Sequence, residues 1–81
     1  MRMRLDKYLK VTRLIKRRTI ANEACDAGRI LVNGKPARAS YEVKVGDIIE
    51  IGIGKPIKAR VLTVSEFSTK ESASEQYELL V

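Results

Sequence analysis

Seven cations crowd one short stretch of this 81-residue sequence. Arg4, Lys7, Lys10, Arg13, Lys16, Arg17 and Arg18 fall within fifteen residues, opposed only by Asp6. Arginine presents a planar fork of donors that grips a phosphate through two bonds at once. Thr19 follows at the expected start of a helix, where free backbone N–H groups add to the attraction for an anion. Such a cluster holds a phosphate backbone and reads little base sequence. The competing reading is a basic helix face that is merely solvated.

Other chemistry finds little support. The sequence has no histidine and one cysteine, Cys25. The usual general base and the usual metal ligands are therefore missing, and neither a disulfide framework nor a thiolate zinc cluster can be built. Neither a phosphate-cradling G-x-x-x-x-G-K-[ST] run nor a helix after Gly52-Ile53-Gly54 is present, so that G-x-G reads as a turn. Asp47, behind Gly46, reads as a turn acid, and Cys25 as a small buried hydrophobe. The expectation is a protein that is not an enzyme and holds no cofactor and no metal.

The formal net charge is +6, but it is unevenly spread. Residues 1–40 carry eleven Lys and Arg against three acids, and residues 41–81 carry five against seven. A basic half joined to a mildly acidic half makes a directed field, which favours a polyanionic partner. Aromatics for base stacking are few. Tyr8 reads as core, and Tyr41 is the one exposed candidate near the patch. Recognition of structured RNA by shape and phosphate position is favoured over single-strand stacking. No apolar run approaches the length of a membrane span, and Met1-Arg2-Met3-Arg4-Leu5-Asp6 has no apolar region behind its charge, so a cytoplasmic protein with no membrane contact is expected.

The patterning that must position the cations starts as helix. Leu5, Tyr8, Leu9, Thr12 and Ile15 follow the i, i+3, i+4, i+7 rule, which predicts a helix over Arg4 to Leu14 with Lys7, Lys10, Arg13 and Arg17 on the opposite arc together with Asp6. A second helix is predicted over Thr19 to Ala27, burying Ile20, Ala21, Ala24 and Cys25 and stopped by Gly28. The period then changes to two. Ile30-Leu31-Val32 reads as a strand, and Asn33-Gly34 as a two-residue hairpin turn. Lys35 to Arg38 begins the return strand. Further strands are predicted over Ile48 to Ile51, from Ile57 to Val61 with a continuation to Val64, and over the last residues from Tyr77. Residues 65–76 read as an acidic loop. One α+β domain spanning 1–81 is expected, with two helices and then a small curved antiparallel sheet.

The run Arg4-Leu5-Asp6-Lys7-Tyr8-Leu9, Arg13-Leu14, Arg18-Thr19-x-Ala21, Gly28-Arg29-Ile30-x-Val32-Asn33-Gly34-Lys35 and Val43-Lys44-x-Gly46-Asp47-x-Ile49 resembles the S4 RNA-binding domain. The resemblance covers residues 4–51, and it implies the αL motif, two helices packed on a small curved sheet. It implies that Arg4 and Arg18 are RNA-contacting positions and that Asp6 is the family's first-turn acid. Lys7, Lys10, Arg13, Lys16, Arg17, Arg29, Lys35 and Arg38 flank the same surface. Many members carry Ser where this chain has Arg17, so a side-chain N-cap is exchanged for a phosphate-binding charge.

Stand-alone members of this size are similar to the heat-shock protein 15 group and, more closely, to the ribosome-associated quality control protein P group. The latter resemblance implies a monomeric factor that binds large ribosomal subunits obstructed by peptidyl-tRNA. It implies contacts with 23S rRNA and P-site tRNA, and support for alanine tailing of the stalled chain with a partner that delivers alanyl-tRNA. The alternatives are a constitutive rRNA-binding structural or assembly protein, a recycling factor of the heat-shock protein 15 type, and a protein-interaction module.

Overall fold

Helix α1 forms where the first apolar arc predicts it, but it is short, spanning Leu5–Val11. The computed structural model describes residues 3–54, 56–64 and 76–80. Leu5, Tyr8 and Leu9 are buried on one side of α1. The helix does not reach Leu14. The Thr12 hydroxyl donates back to the Tyr8 carbonyl at 2.7 Å, and Arg13 takes a left-handed φ of 62°. The amides of Arg13 and Ile15 then close on the carbonyls of Lys10 and Leu9, both at 3.0 Å. The tighter ending lets Ile15 turn inward, where it is buried.

Helix α2 spans Arg18–Asp26, opening one residue before Thr19. Arg17 is its N-cap and makes no side-chain capping bond, as expected of an arginine there. Ala21, Ala24 and Cys25 are buried. Ile20 is not: it is 44% exposed, against expectation. On the helical wheel it stands about 100° from Ala21, which puts it at the rim of the buried arc. At the other end Gly28 takes φ 75°. Its amide bonds the Cys25 carbonyl at 3.0 Å and the Arg29 amide bonds the Ala24 carbonyl at 2.9 Å, a Schellman ending.

Five strands follow: β1 (Ile30–Val32), β2 (Lys35–Pro36), β3 (Ile48–Ile51), β4 (Ile57–Val61) and β5 (Tyr77–Leu80). They form one sheet in the order β2-β1-β3-β4-β5, and every pairing is antiparallel. The expected return strand Lys35 to Arg38 is trimmed to two residues, and the strand from Ile57 ends at Val61 rather than Val64. Asn33 and Gly34 take φ 54° and 83°, the mirror-image turn that the pair predicts. Period two sorts the sheet. Ile30, Val32, Ile49, Ile51 and Val61 enter the core with Met3, Leu5, Tyr8, Leu9 and Ile15. The acidic loop read over 65–76 lies outside the described residues, except for Gln76.

The segment between β2 and β3 is tied to both layers. The amides of Leu5 and Asp6 donate to the carbonyls of Tyr41 and Ala39 at 2.8 and 3.2 Å. Asp47 is buried, more than a turn acid needs to be. It accepts from Asn33 Nδ2 at 3.1 Å, from the Tyr41 hydroxyl at 2.8 Å and from the Lys44 amide at 2.9 Å. Among the described residues no helix is long and apolar enough to cross a membrane.

Candidate nucleic-acid interface

The site is organised by an acid. Asp6 lies in the first turn of α1, and its side chain is 3% exposed. The sequence pattern put Asp6 on the outer arc with the cations, and the structure corrects this by burying its side chain. Its carboxylate is enclosed by donors from both helices and offers almost no surface to a ligand. Arg4 Nε and Nη2 donate to its two oxygens at 3.2 and 3.3 Å. The Lys7 amide donates to Oδ1 at 2.8 Å and Asn22 Nδ2 to Oδ2 at 3.2 Å. Arg18 Nε stands 3.4 Å from Oδ2. Burial opposes ionisation of this carboxyl. The bonds from Asn22, Arg18 and Arg4 outweigh burial and hold Asp6 below the ordinary 3.8.

The two arginines that converge on Asp6 remain half in solvent, with side chains 51% and 48% exposed. Together with Asp6, Thr19, Asn22 and Glu23 they line an open cleft between the starts of α1 and α2. Two half-exposed guanidiniums against the buried Asp6 and the exposed Glu23 leave the lining near neutral in formal charge, with N–H groups of both guanidiniums still facing solvent. The arrangement suits a phosphate, and its donors are presented from two helices rather than from a flexible arm.

The remaining cations fall into three places. Lys10, Arg13, Lys16 and Arg17 are exposed along the end of α1 and the connection to α2, and Lys7 is half-buried beside them. Lys35 and Arg38 line a separate groove with Asn33, Ser40 and Tyr41. The backbone bonds from α1 to Ala39 and Tyr41 put this groove next to the Arg4 corner. Arg29 is not brought to either place. It lines a groove with Leu31, Glu50 and Lys58 across the outer sheet face, and another with Ile20, Glu23 and Ile53.

Sequence reasoning missed Asn22 altogether. An asparagine on a helix carries no periodic signal, and its partner lies sixteen positions away. Tyr41, taken as a free stacking candidate, is instead tied through its hydroxyl to Asp47. Among the described residues no group of three or more His, Cys, Asp or Glu could hold a metal ion.

Comparisons with known proteins agree with this architecture. The S4 domain family model matches residues 3–49. An RQC P-site tRNA stabilizing factor of Streptococcus pneumoniae is 51% identical over 79 residues, covering 96% of this chain and 90% of that protein. Its Bacillus subtilis namesake is 48% identical over 79 residues, covering 96% and 92%. Among solved structures, a trimeric structure of Vibrio cholerae Heat Shock Protein 15 superposes with a TM-score of 0.91 at 26% identity, covering 99% of this chain and 83% of that one. The family model, the identity to full-length relatives and the two-helix arrangement around Asp6 together place this chain in the S4 domain family.

Proposed function

We propose that this protein is an RNA-binding factor of ribosome-associated quality control. It binds large ribosomal subunits obstructed by peptidyl-tRNA, contacts 23S rRNA and the P-site tRNA, and supports alanine tailing of the stalled chain with a partner that delivers alanyl-tRNA. It acts by binding and not by turnover, as a monomer in the cytoplasm. The observation that carries the reading is the convergence of Arg4 and Arg18 on buried Asp6, which fixes two half-exposed guanidiniums in one cleft. The names of the relatives that match nearly the whole chain point the same way.

In this reading Arg4 and Arg18 grip phosphate directly. Lys7, Lys10, Arg13, Lys16 and Arg17 extend the positive field along one side of the cleft, and Lys35 and Arg38 along the other. Arg29 contributes only long-range charge. Asp6 touches no RNA and acts through the arginines. A phosphate track of this kind recognises the shape of folded RNA rather than its sequence.

The test is sedimentation of the tagged protein with purified large subunits. Subunits that carry peptidyl-tRNA are expected to retain it, and empty subunits to release it. Equal recovery from both would instead support a constitutive structural or assembly role. The close superposition on a heat-shock protein 15 favours one further reading, a recycling factor of that type. Failure of alanine tailing in cells lacking the protein, with subunit recycling intact, separates the first reading from this one. Binding is expected to weaken steeply with salt, by roughly 0.7–0.9 log units per phosphate contact for each log unit of salt. A flat response identifies the basic face as merely solvated.

A further inference from the structure

Asp6 raises a difficulty for a phosphate-binding cleft. A buried carboxylate between two arginines competes with the phosphate for the same donors. Were the acid satisfied by Arg4 and Arg18 alone, both guanidiniums would be drawn onto it at the 2.7–2.9 Å usual for charge-assisted bonds of about this kind. They are not. The arginine contacts are long, 3.2 to 3.4 Å. The shortest donor to Asp6 is the Lys7 amide at 2.8 Å, and a second neutral donor is Asn22 Nδ2 at 3.2 Å.

Asn22 lies one turn beyond Arg18 on α2 and lines the same cleft. Its amide reaches Oδ2, the oxygen that Arg18 also faces. A neutral donor at that place offsets the desolvation of the carboxylate without consuming a guanidinium and without adding charge. We propose that Asn22 is a positioning residue for RNA binding: it partly satisfies Asp6, so that Arg18 and Arg4 stay half-exposed and available to a phosphate. The inference rests on the reading that this cleft holds an RNA phosphate. A side chain of the same size with a negative charge fails in this role, because it sets a second carboxylate against Asp6 and adds a negative charge to a lining that already holds Asp6 and Glu23. Among the described residues, the one other charged group in the cleft lining is Glu23 on α2, which is common to every variant compared.

The experiment uses the full chain and purified large subunits carrying peptidyl-tRNA, with retention measured across protein concentration. Asn22→Ala is expected to weaken binding about threefold to tenfold, the scale of one lost hydrogen bond. Alanine is the better helix former, so α2 itself is not weakened, and the thermal unfolding midpoint reports any loss of fold. Asn22→Asp is expected to weaken binding further at neutral pH. Its deficit relative to wild type, measured at each pH, shrinks as the pH is lowered toward about 5, because two facing carboxylates come to share a proton. Arg18→Ala is the control for the underlying reading. If Arg18→Ala loses binding while Asn22→Ala and Asn22→Asp match wild type, the positioning role is wrong and the cleft stands. A loss in Asn22→Ala that only tracks a lowered unfolding midpoint, with no pH-dependent recovery in Asn22→Asp, also overturns it. If Arg18→Ala binds as wild type does, or wild type does not bind, the reading beneath it fails as well.

Discussion

Arg18 Nε, in the first turn of α2, stands 3.4 Å from Oδ2 of Asp6, in the first turn of α1. This contact joins two helices across twelve residues of sequence and fixes where the guanidinium faces. Half of the Arg18 side chain remains in solvent, so as a structural ion pair it contributes little. Its value lies in orientation. Arg18→Ala is therefore expected to cost about 1–3 kcal/mol of RNA affinity if the phosphate contact is bidentate. Arg18→Lys is expected to recover only part, since a point charge lacks the fork. Subunit retention at two salt concentrations checks both, and equal affinity of the alanine variant and wild type would remove Arg18 from the interface.

Acid stability should report the same carboxylate. Asp6 has a folded pKa held below the ordinary 3.8, because the bonds from Asn22, Arg18 and Arg4 prevail over the burial that opposes them. A carboxyl depressed in the folded state stabilises it above its unfolded value, and that stability is lost as pH falls from there through the folded value. The loss is expected below about pH 4, with neutral pH unaffected. Asp6→Asn should flatten this acid limb of the unfolding midpoint. An unchanged limb in Asp6→Asn would show that other carboxyls set it.

At the alkaline end Tyr41 takes the corresponding part. Its hydroxyl donates to Asp47 Oδ2 at 2.8 Å, and burial first, then that bond and the Asp47 charge, push its pKa up to about 12. A phenol whose folded pKa is raised gives full stability below its unfolded value of 10.0, which is lost as pH rises toward about 12. Tyr41→Phe is expected to destabilise the fold by about 1–3 kcal/mol at neutral pH, since a bond to a buried carboxylate is removed. It should also weaken the fall in stability between pH 10 and 12. Spectrophotometric titration of the tyrosines, compared with the variant, identifies the group.

Local rules made much of this fold legible in advance. Gly28 ended α2 and Asn33-Gly34 formed the hairpin, because each residue type answers a demand of its own backbone. Alternation placed Ile30, Val32, Ile49, Ile51 and Val61 on one sheet face. The basic residues of the cleft were legible from charge and from the S4 pattern. Tertiary pairing was not. Asp6 looks like an outward first-turn acid until Arg18 and Asn22 fold over it, and neither is its sequence neighbour. Asp47 looks like a turn residue until Asn33 and Tyr41 close on it. Arg13 shows a helical register, yet Ile15 is buried only because the chain turns there.

Arg13 offers a last test, because its backbone and its charge can be separated. It sits just past the C-cap of α1 with φ 62°, a conformation that costs an L side chain roughly 1–2 kcal/mol and costs glycine none. Glycine loses more chain entropy on folding, by roughly 0.5–1 kcal/mol. The net expectation for Arg13→Gly is a fold as stable as wild type or up to about 1.5 kcal/mol more stable by those two figures. Arg13 is exposed, so its removal sacrifices one charge of the outer field and no packing. RNA retention at low salt should fall modestly, and the salt slope should flatten by about 0.7–0.9 only if Arg13 meets a phosphate directly. A destabilised Arg13→Gly would mean that the arginine side chain, and not the turn, holds the end of α1.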